Sequence, residues 1–353
     1  MRDGTGSSFE RLRASYAALG GPVVVCNKSH SGSRLLARLL REGGVFLGED
    51  RNESQDALPI VPLVGHLVRT GYPDYATLWS STVDLEDAAR RAGAAFEAHL
   101  AGYDRGSGAP WGWKLCESGY ALPFFARLFP RARVVHLVRD GRDVAFCDHR
   151  GPDDAFWRKV HFGTDRIDTW RGMRLTGPAY RRRSHRYNAV HWSSAVRVAR
   201  SYGSMLGERY LEVRYEDLCR EFEATAARVL AFARAPDATG AIERVRPIVH
   251  RDSIGKHARA PARALREVIA IAKPELLAFG YLDRDPERPR PSIRHSRFAD
   301  DWVDRWRRGV LIESWRRRLA GRRCRLPLVH KPLRYASGIR DSRMAALRSV
   351  KQG

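Results

Sequence analysis

The sequence predicts an α/β protein of three layers, α/β/α, with helices on both faces of a central parallel sheet. Three observations support this prediction. Strand-like and helix-like segments alternate along the chain, the apolar run 23–26 leads into a turn of small hydroxyl residues and then a helix, and the β-branched run 133–138 ends in arginines. Ligands of open α/β sheets bind at the carboxyl ends of the strands, so both turns are expected at the functional edge.

The first predicted element is a buried strand at residues 23–26, followed by a turn over residues 27–34 and a helix from Leu35 to Leu40. Ser31, Gly32 and Ser33 in this turn are small, which lets the backbone approach an anion. The N–H groups and the dipole of the following helix favour negative charge at the same place. The turn therefore predicts a site for a phosphate ester or a related anion.

The next segments have weaker signals. Residues 45–47 predict a short strand, residues 49–56 form an acidic loop at the same edge of the sheet, and residues 57–100 have helical patterns. A strand at 112–115 and a helix at 121–128 precede the arginine-ending strand.

The second half of the catalytic region continues the alternation. Residues 150–188 show no clean periodicity and suit a long functional loop, which we interpret as a lid over an acceptor. Apolar residues between Trp192 and Leu206 predict one face of an amphipathic helix. Residues 210–218 predict a short strand, followed by a helix from about Glu221.

The turn lacks the lysine of a Walker loop, because Gly32 is followed by Ser33 and Arg34. Residues 22–281 instead resemble the sulfotransferases that use 3′-phosphoadenosine-5′-phosphosulfate (PAPS). Their 5′-phosphosulfate loop contains a basic residue and then Ser-Gly-Thr/Ser, and their 3′-phosphate segment has the pattern Arg-(Asp/Asn)-Pro-(Arg/Lys)-Asp-Val with a later serine. The counterparts at 31–33, 139–147 and 210–218 occur in family order.

The resemblance implies a P-loop-like fold, PAPS as co-substrate and no metal. Ser31 to Arg34 would hold the 5′-phosphosulfate and Arg139 the 3′-phosphate, with Lys256 as a second cation. The residues expected to bind the co-substrate are Ser31, Gly32, Ser33, Arg34, Arg139, Cys147 and Lys256.

The chain departs from the family pattern in both phosphate segments, and one departure is Gly141, which replaces the usual proline of the 3′-phosphate segment. His30 stands where a basic residue precedes the Ser-Gly pair, and Lys28 is the nearest permanent cation, so either could neutralise the leaving group. Cys147 replaces the serine of the 3′-phosphate segment. Because a thiol is a weaker donor than a hydroxyl, Arg139 is expected to carry more of that phosphate.

The general base is not fixed by the resemblance. Cytosolic members have a histidine shortly after a strand lysine, whereas here Lys114 is followed by Leu-Cys-Glu. Glycan-modifying members have a glutamate beyond the phosphate loop, which favours Glu53, with Asp56 as second choice and Glu117 as a further alternative. A solvated charge or a helix cap is the alternative reading of either loop carboxylate. The catalytic candidates are Lys28, His30, Glu53, Asp56 and Lys114.

The length and composition of the chain predict its domain organisation and location. Its 353 residues suit a catalytic domain at 1–285, followed by a proline- and arginine-rich linker and a basic helical tail at 286–353. Five cysteines without a Cys-x-x-Cys spacing, together with the lack of a signal segment, predict a cytoplasmic protein. The tail could hold it at a membrane face, or could simply dock on the core.

The expected function is transfer of a sulfuryl group from PAPS to an acceptor hydroxyl, on a carbohydrate or glycolipid by family analogy. A P-loop-type kinase and a non-enzymatic nucleic-acid binder are the alternatives, the latter because the formal net charge is +23. The basic runs are scattered and no DNA-binding spacing is present, so specific nucleic-acid binding is not expected. The oligomeric state is not predicted.

Overall fold

The computed structural model describes residues 7–71, 84–147, 160, 169–170, 173–174 and 185–282. The strands among them are β1 (Val23–Asn27), β2 (Gly112–Lys114), β3 (Arg133–Val138), β4 (Thr169–Trp170), β5 (Met173–Arg174) and β6 (Tyr210–Arg214). Four of them form a sheet in the order β2-β1-β3-β6, in which every neighbouring pair is parallel. The strands β4 and β5 pair antiparallel with each other.

The described helices lie before, between and after these strands. They are α1 (Ser8–Ser15), α2 (Ser33–Glu42), α3 (Val61–Gly71), α4 (Leu85–His99), α5 (Leu122–Leu128), α6 (Gly141–Ala145), α7 (His185–Gly203), α8 (Tyr215–Arg220), α9 (Phe222–Ala233), α10 (Ala238–Val245) and α11 (Ala262–Ala278). None of these helices combines the length and the apolar composition needed to span a membrane.

The central strand β1 shows why the fold has three layers. All five of its residues are buried, and successive side chains point to opposite faces. Val24 and Cys26 join a core that includes Phe96 of α4, whereas Val23 and Val25 join one that includes Leu36 of α2. The sheet is thus covered on both faces, and the predicted α/β/α class is confirmed.

Some predicted boundaries differ from the structure. Residues 45–47 form no strand; only Phe46 makes an isolated bridge, to Trp111, because the left-handed Gly44 (φ 83°) and Gly48 (φ 76°) limit the extended stretch. The strand predicted at 112–115 ends at Lys114. Leu206 lies beyond α7, in a 3₁₀ turn at residues 204–209.

The last strand of the sheet is shorter than predicted. The sequence predicts a strand at 210–218, but β6 ends at Arg214. The helix α8 begins directly after it at Tyr215, earlier than the helix that the sequence predicts from about residue 221. Most of the proposed acceptor lid lies outside the described residues, although 185–188 already belong to α7. The whole predicted tail, residues 286–353, lies outside them as well, so the domain boundary at 285 stays a prediction.

Candidate active site

The turn between β1 and α2 forms a tight loop of residues 28–32, which we call the phosphate loop together with Ser33, the first residue of α2. Gly32 is the N-cap of α2, with φ 84° and no side-chain cap. A Cβ on Gly32 would lie 2.2 Å from Cε2 of Tyr215, so a larger residue fits here only if the ring moves. His30 also has a left-handed backbone, at φ 67°. The loop therefore depends on two residues in a conformation that costs a non-glycine residue energy.

This loop presents donors that suit an anion. The first N–H groups of a helix have no intrahelical acceptor, and Gly32 offers no side chain in their place. The Ser31 hydroxyl is buried and has no hydrogen-bond partner among the described residues. Ser33 is also buried, at the first position of α2. A phosphate or sulfate oxygen would satisfy these groups.

Lys28 lies at the base of the loop and is only 1% exposed. Its Nζ donates a hydrogen bond of 3.3 Å to the Ser29 carbonyl. Burial lowers the pKa of its ammonium to about 8, against the influence of Cys116, Glu117 and Cys147. No carboxylate of a described residue forms an ion pair with Lys28, and a buried cation of this kind is stabilised most when an anion binds.

His30, the other predicted cation, occupies a different position from Lys28. Its side chain is exposed, while its carbonyl accepts a hydrogen bond of 2.9 Å from Nη1 of Arg139. The backbone of His30 therefore contacts Arg139, whereas its imidazole ring is exposed.

Arg139, directly after β3, reaches the phosphate loop from the neighbouring strand. Besides His30, its guanidinium donates to the Ser253 carbonyl and lies 3.6 Å from Oδ2 of Asp143. It packs over the Tyr215 ring at 5.0 Å, and its buried Nε has no partner among the described residues. Arg139 therefore connects the phosphate loop to the 253–257 segment. That segment contains Lys256, which the sequence predicts as a second cation for the co-substrate.

Asp143 of α6 fixes that segment, a role the sequence analysis missed. Its carboxylate accepts hydrogen bonds from N–H of Gly255 (2.8 Å), N–H of His257 (2.9 Å) and Nδ1 of His257 (2.7 Å). Burial raises its pKa, but these bonds, with the charge of Arg139, produce a net lowering. In the sequence, this role is indicated only by an acidic residue four positions after Arg139 in a basic segment.

Cys147 and Lys256 are close in the chain to the Asp143 clamp, which is formed by Asp143, Gly255 and His257. The Cys147 thiol donates to the Asp143 carbonyl at 3.4 Å, which places it one turn beyond the carboxylate. Lys256 is exposed between Gly255 and His257 and makes no ion pair with a described residue. Both predicted binding residues therefore lie near Arg139, and one of them is a cation open to solvent.

A second polar cluster follows β2. Nζ of the buried Lys114 donates to Oδ1 of Asp56 (2.7 Å) and to the Ser54 carbonyl (2.9 Å). The Cys116 thiol lies 3.8 Å from the same Asp56 oxygen. Glu53 is exposed at the tip of its turn and contacts no described partner. The structure therefore brings Asp56 and Lys114 together and leaves Glu53 outside this cluster.

The carboxylate of Glu117, near this cluster, forms no ion pair with a described residue. Glu117 lies three residues after Lys114, the last residue of β2, and is half-buried. Burial, and then the charge of Asp56, raise its pKa, while Lys114 and Lys28 act in the opposite direction. A carboxylate with a raised pKa near two lysines has the properties of a proton acceptor.

The fold and site define an α/β enzyme with a phosphate loop and an arginine site on adjacent strands. The model of the sulfotransferase family matches residues 22–239, well over half of the chain. The chain belongs to the sulfotransferase family, which confirms the resemblance and the enzyme class. It is a transferase that moves a sulfuryl group from a PAPS-type co-substrate to an acceptor hydroxyl.

Solved structures of sulfotransferases are similar at low identity. The sulfotransferase domain of the olefin synthase from Synechococcus PCC 7002 is 16% identical, with 75% of this chain and 97% of that chain covered and a TM-score of 0.40. STF9 from Mycobacterium avium is 12% identical, with 80% and 85% covered and a TM-score of 0.41. A search of curated proteins found no match. The family assignment rests on the family model.

Proposed function

We propose that this sulfotransferase acts on a hydroxyl of a carbohydrate or glycolipid, with PAPS held between the phosphate loop and Arg139. The observation that carries the proposal is the hydrogen bond from Arg139 to the His30 carbonyl, which joins the two segments in one site. Ser31, Gly32 and Ser33 would hold the phosphosulfate through N–H and hydroxyl groups. Their uncapped helix end and the unpartnered Ser31 hydroxyl support this role.

The other end of PAPS would lie at the Asp143 clamp. Arg139, Cys147 and Lys256 are proposed to hold the 3′-phosphate, Arg139 through its guanidinium and Lys256 as a second cation. The clamp from Asp143 to His257 supports this assignment, because it fixes the segment that carries Lys256 close to Arg139. Cys147 would contribute only a weak thiol donor.

The chemical roles follow from charge and burial. Lys28 would neutralise the oxygen that leaves with the nucleotide, because its ammonium is buried beside the loop. Glu117 would accept the proton of the acceptor hydroxyl. Asp56, paired with Lys114 at 2.7 Å, would position that lysine instead. Arg34 is exposed at the first turn of α2 and would contribute long-range attraction.

The preference for a sugar acceptor rests on the absence of a histidine in residues 114–117, where Lys114 is followed by Cys116 and Glu117. The proposed proton acceptor is a carboxylate, as in the glycan-modifying members, although Glu117 follows the strand lysine and not the phosphate loop. The phenol-directed alternative would use an imidazole at that place.

Binding and transfer can be tested separately. Calorimetric titration with 3′-phosphoadenosine-5′-phosphate (PAP) in EDTA should give tight binding, since loop and arginine supply the charge that a metal would supply. A protein that binds ATP with magnesium but not PAP would contradict the proposal. Sulfur-labelled PAPS is then offered with glycan, glycolipid and phenol acceptors. Label transfer to phenols alone would reject the proposed acceptor class.

A further inference from the structure

A groove with a volume of about 1100 Å³ runs along the exposed side of α2, the helix that follows the phosphate loop. Arg34, Arg38 and Arg41 line one wall at i, i+4 and i+7, a spacing that places all three on the same face. They span about 10 Å along the helix axis. All three are exposed, and Arg51 and Gln55 line the facing wall.

The positive charge of this groove is only partly compensated. Arg34 and Arg41 make no ion pair with a described residue. Glu42 also lines the groove, but it is held at 2.8 Å by Arg244 and lies 3.8 Å from Arg38. Two acids, Glu42 and Glu49, therefore face four arginines in the lining, and Glu42 already has a partner outside the groove.

Arg41 and Arg51 are close enough to repel each other. Burial lowers the pKa of the Arg51 guanidinium first, and the charge of Arg41 lowers it further, whereas Glu49 on the same wall acts in the opposite direction. Two like charges kept together across a groove are stabilised when an anion lies between them.

Two residues that line the groove are chain neighbours of site residues. Arg34 directly follows Ser33 of the phosphate loop. Gln55 directly precedes Asp56, whose carboxylate accepts a hydrogen bond from Lys114. The groove therefore lies next to both parts of the candidate site, where an extended acceptor would pass.

We infer that this groove binds acidic groups of the acceptor, sulfate or carboxylate groups on sugar units next to the one that receives the sulfuryl group. The inference deepens the proposed function and rests on it. Leu35, Phe46 and Ile248 lie among the arginines and suit the apolar faces of sugar rings. The basic stretch is short compared with a nucleic-acid site of several phosphate contacts, which favours an oligosaccharide.

The test uses a fluorescently labelled heparin hexasaccharide as probe, with anisotropy as readout and no nucleotide present. The groove variant R38Q/R41Q is compared with R90Q/R263Q, which removes two exposed helical arginines outside the groove. Each of these has a carboxylate three or four residues away, as Arg38 has. The groove variant should bind about tenfold more weakly or worse, and the control should change less than about threefold. R38K/R41K, which keeps the charge, should retain most of the binding.

Other outcomes would overturn the inference. Equal losses in both double variants would mean that only net charge matters, and an equal loss for a single-stranded hexanucleotide would mean a general polyanion site. Melting temperatures of all variants should match, and their PAP affinities should be equal. Failure of the unaltered protein to bind PAP would instead count against the proposed function, because the hexasaccharide is measured without nucleotide.

Discussion

The guanidinium of Arg139 donates a hydrogen bond of 2.9 Å to the carbonyl of His30, a residue 109 positions earlier in the chain. Its second Nη donates to the Ser253 carbonyl, so one side chain holds two loops at the carboxyl edge of the sheet. The planar fork of arginine can reach both acceptors at once, which a lysine ammonium cannot do in the same geometry. Arg139 therefore shapes the loop as well as supplying charge.

Replacing Arg139 should affect binding and stability together. Arg139→Ala is expected to weaken PAP binding by about 2 to 4 kcal/mol, because a buried charged contact is lost. Arg139→Lys should recover only part of this, since both carbonyl bonds cannot be kept. Calorimetry with PAP and thermal unfolding without it give the two values.

Arg133, at the opposite end of β3, provides the matched control. Arg133→Lys should leave the PAP affinity unchanged. An Arg139→Ala protein with full affinity would show that the 3′-phosphate lies elsewhere.

The sequence was sufficient to predict this edge of the fold. Strand β3 was predicted with its observed bounds, 133–138, because a buried parallel strand needs a β-branched run with few polar residues. The clamp by Asp143 was not predicted. Its partners, Gly255 and His257, are over 110 residues away, and only the folded chain shows that their N–H groups meet its carboxylate.

Asp143→Asn should destabilise the protein by about 1 to 3 kcal/mol at pH 7, because a buried carboxylate accepts charged and backbone hydrogen bonds that an amide only partly replaces. The folded protein lowers the pKa of Asp143, so its contribution is present above the unfolded value of about 3.9 and is lost as the pH falls through the lower, folded value. Unfolding measured from pH 7 down to pH 3 should show a smaller dependence in the variant.

Asp252→Asn is the control for this prediction, since Asp252 is an exposed carboxylate in the same segment. Its effect should be within about 0.5 kcal/mol. Equal stability of the Asp143→Asn and the unaltered protein would mean that the observed bonds contribute nothing net.

Sequence reasoning reached the second cluster only in part. The sequence predicts Lys114 and Asp56 as site residues, and the structure pairs them. The sequence favours Glu53 as the base from its distance along the chain to the phosphate loop, but this distance does not show which residues of a turn face inward. The turn from Asn52 to Asp56 directs Glu53 to solvent, while Glu117 was considered only as a further alternative.

Binding of PAP should be linked to a proton on Lys28. The folded protein lowers the pKa of this lysine to about 8, so its ammonium is partly deprotonated above that pH before ligand is added. A bound anion favours the charged form, and PAP should therefore bind with proton uptake at pH 8.5 and with little uptake at pH 7. Titrations in two buffers of different ionisation enthalpy measure this uptake.

The same shift makes a prediction for stability. Between pH 8 and about 10.4 the unfolded chain holds a proton that folded Lys28 has lost, so the contribution of this group to stability rises with pH in that window.

Lys28→Met should abolish the proton uptake on PAP binding. Lys28→Arg should also abolish this uptake but should retain more affinity for PAP, because arginine stays charged. Undiminished uptake in Lys28→Met would assign the proton to another group.

The final prediction identifies the general base. Glu117→Gln should lower kcat by about a hundredfold or more, with PAP affinity nearly unchanged, because a base acts on the transition state and not on the bound nucleotide. Glu53→Gln, the same change on an exposed carboxylate, is the matched control and should retain activity.

Burial and Asp56 raise the pKa of Glu117, so the kcat of the unaltered enzyme should fall as the pH drops through that raised value. The readout is label transfer from PAPS to the acceptor found in the screen, measured across pH. Asp56→Asn should lower activity by a different route, since it leaves the buried Lys114 ammonium without its carboxylate. A Glu53→Gln enzyme that loses activity while Glu117→Gln retains it would return the role to Glu53.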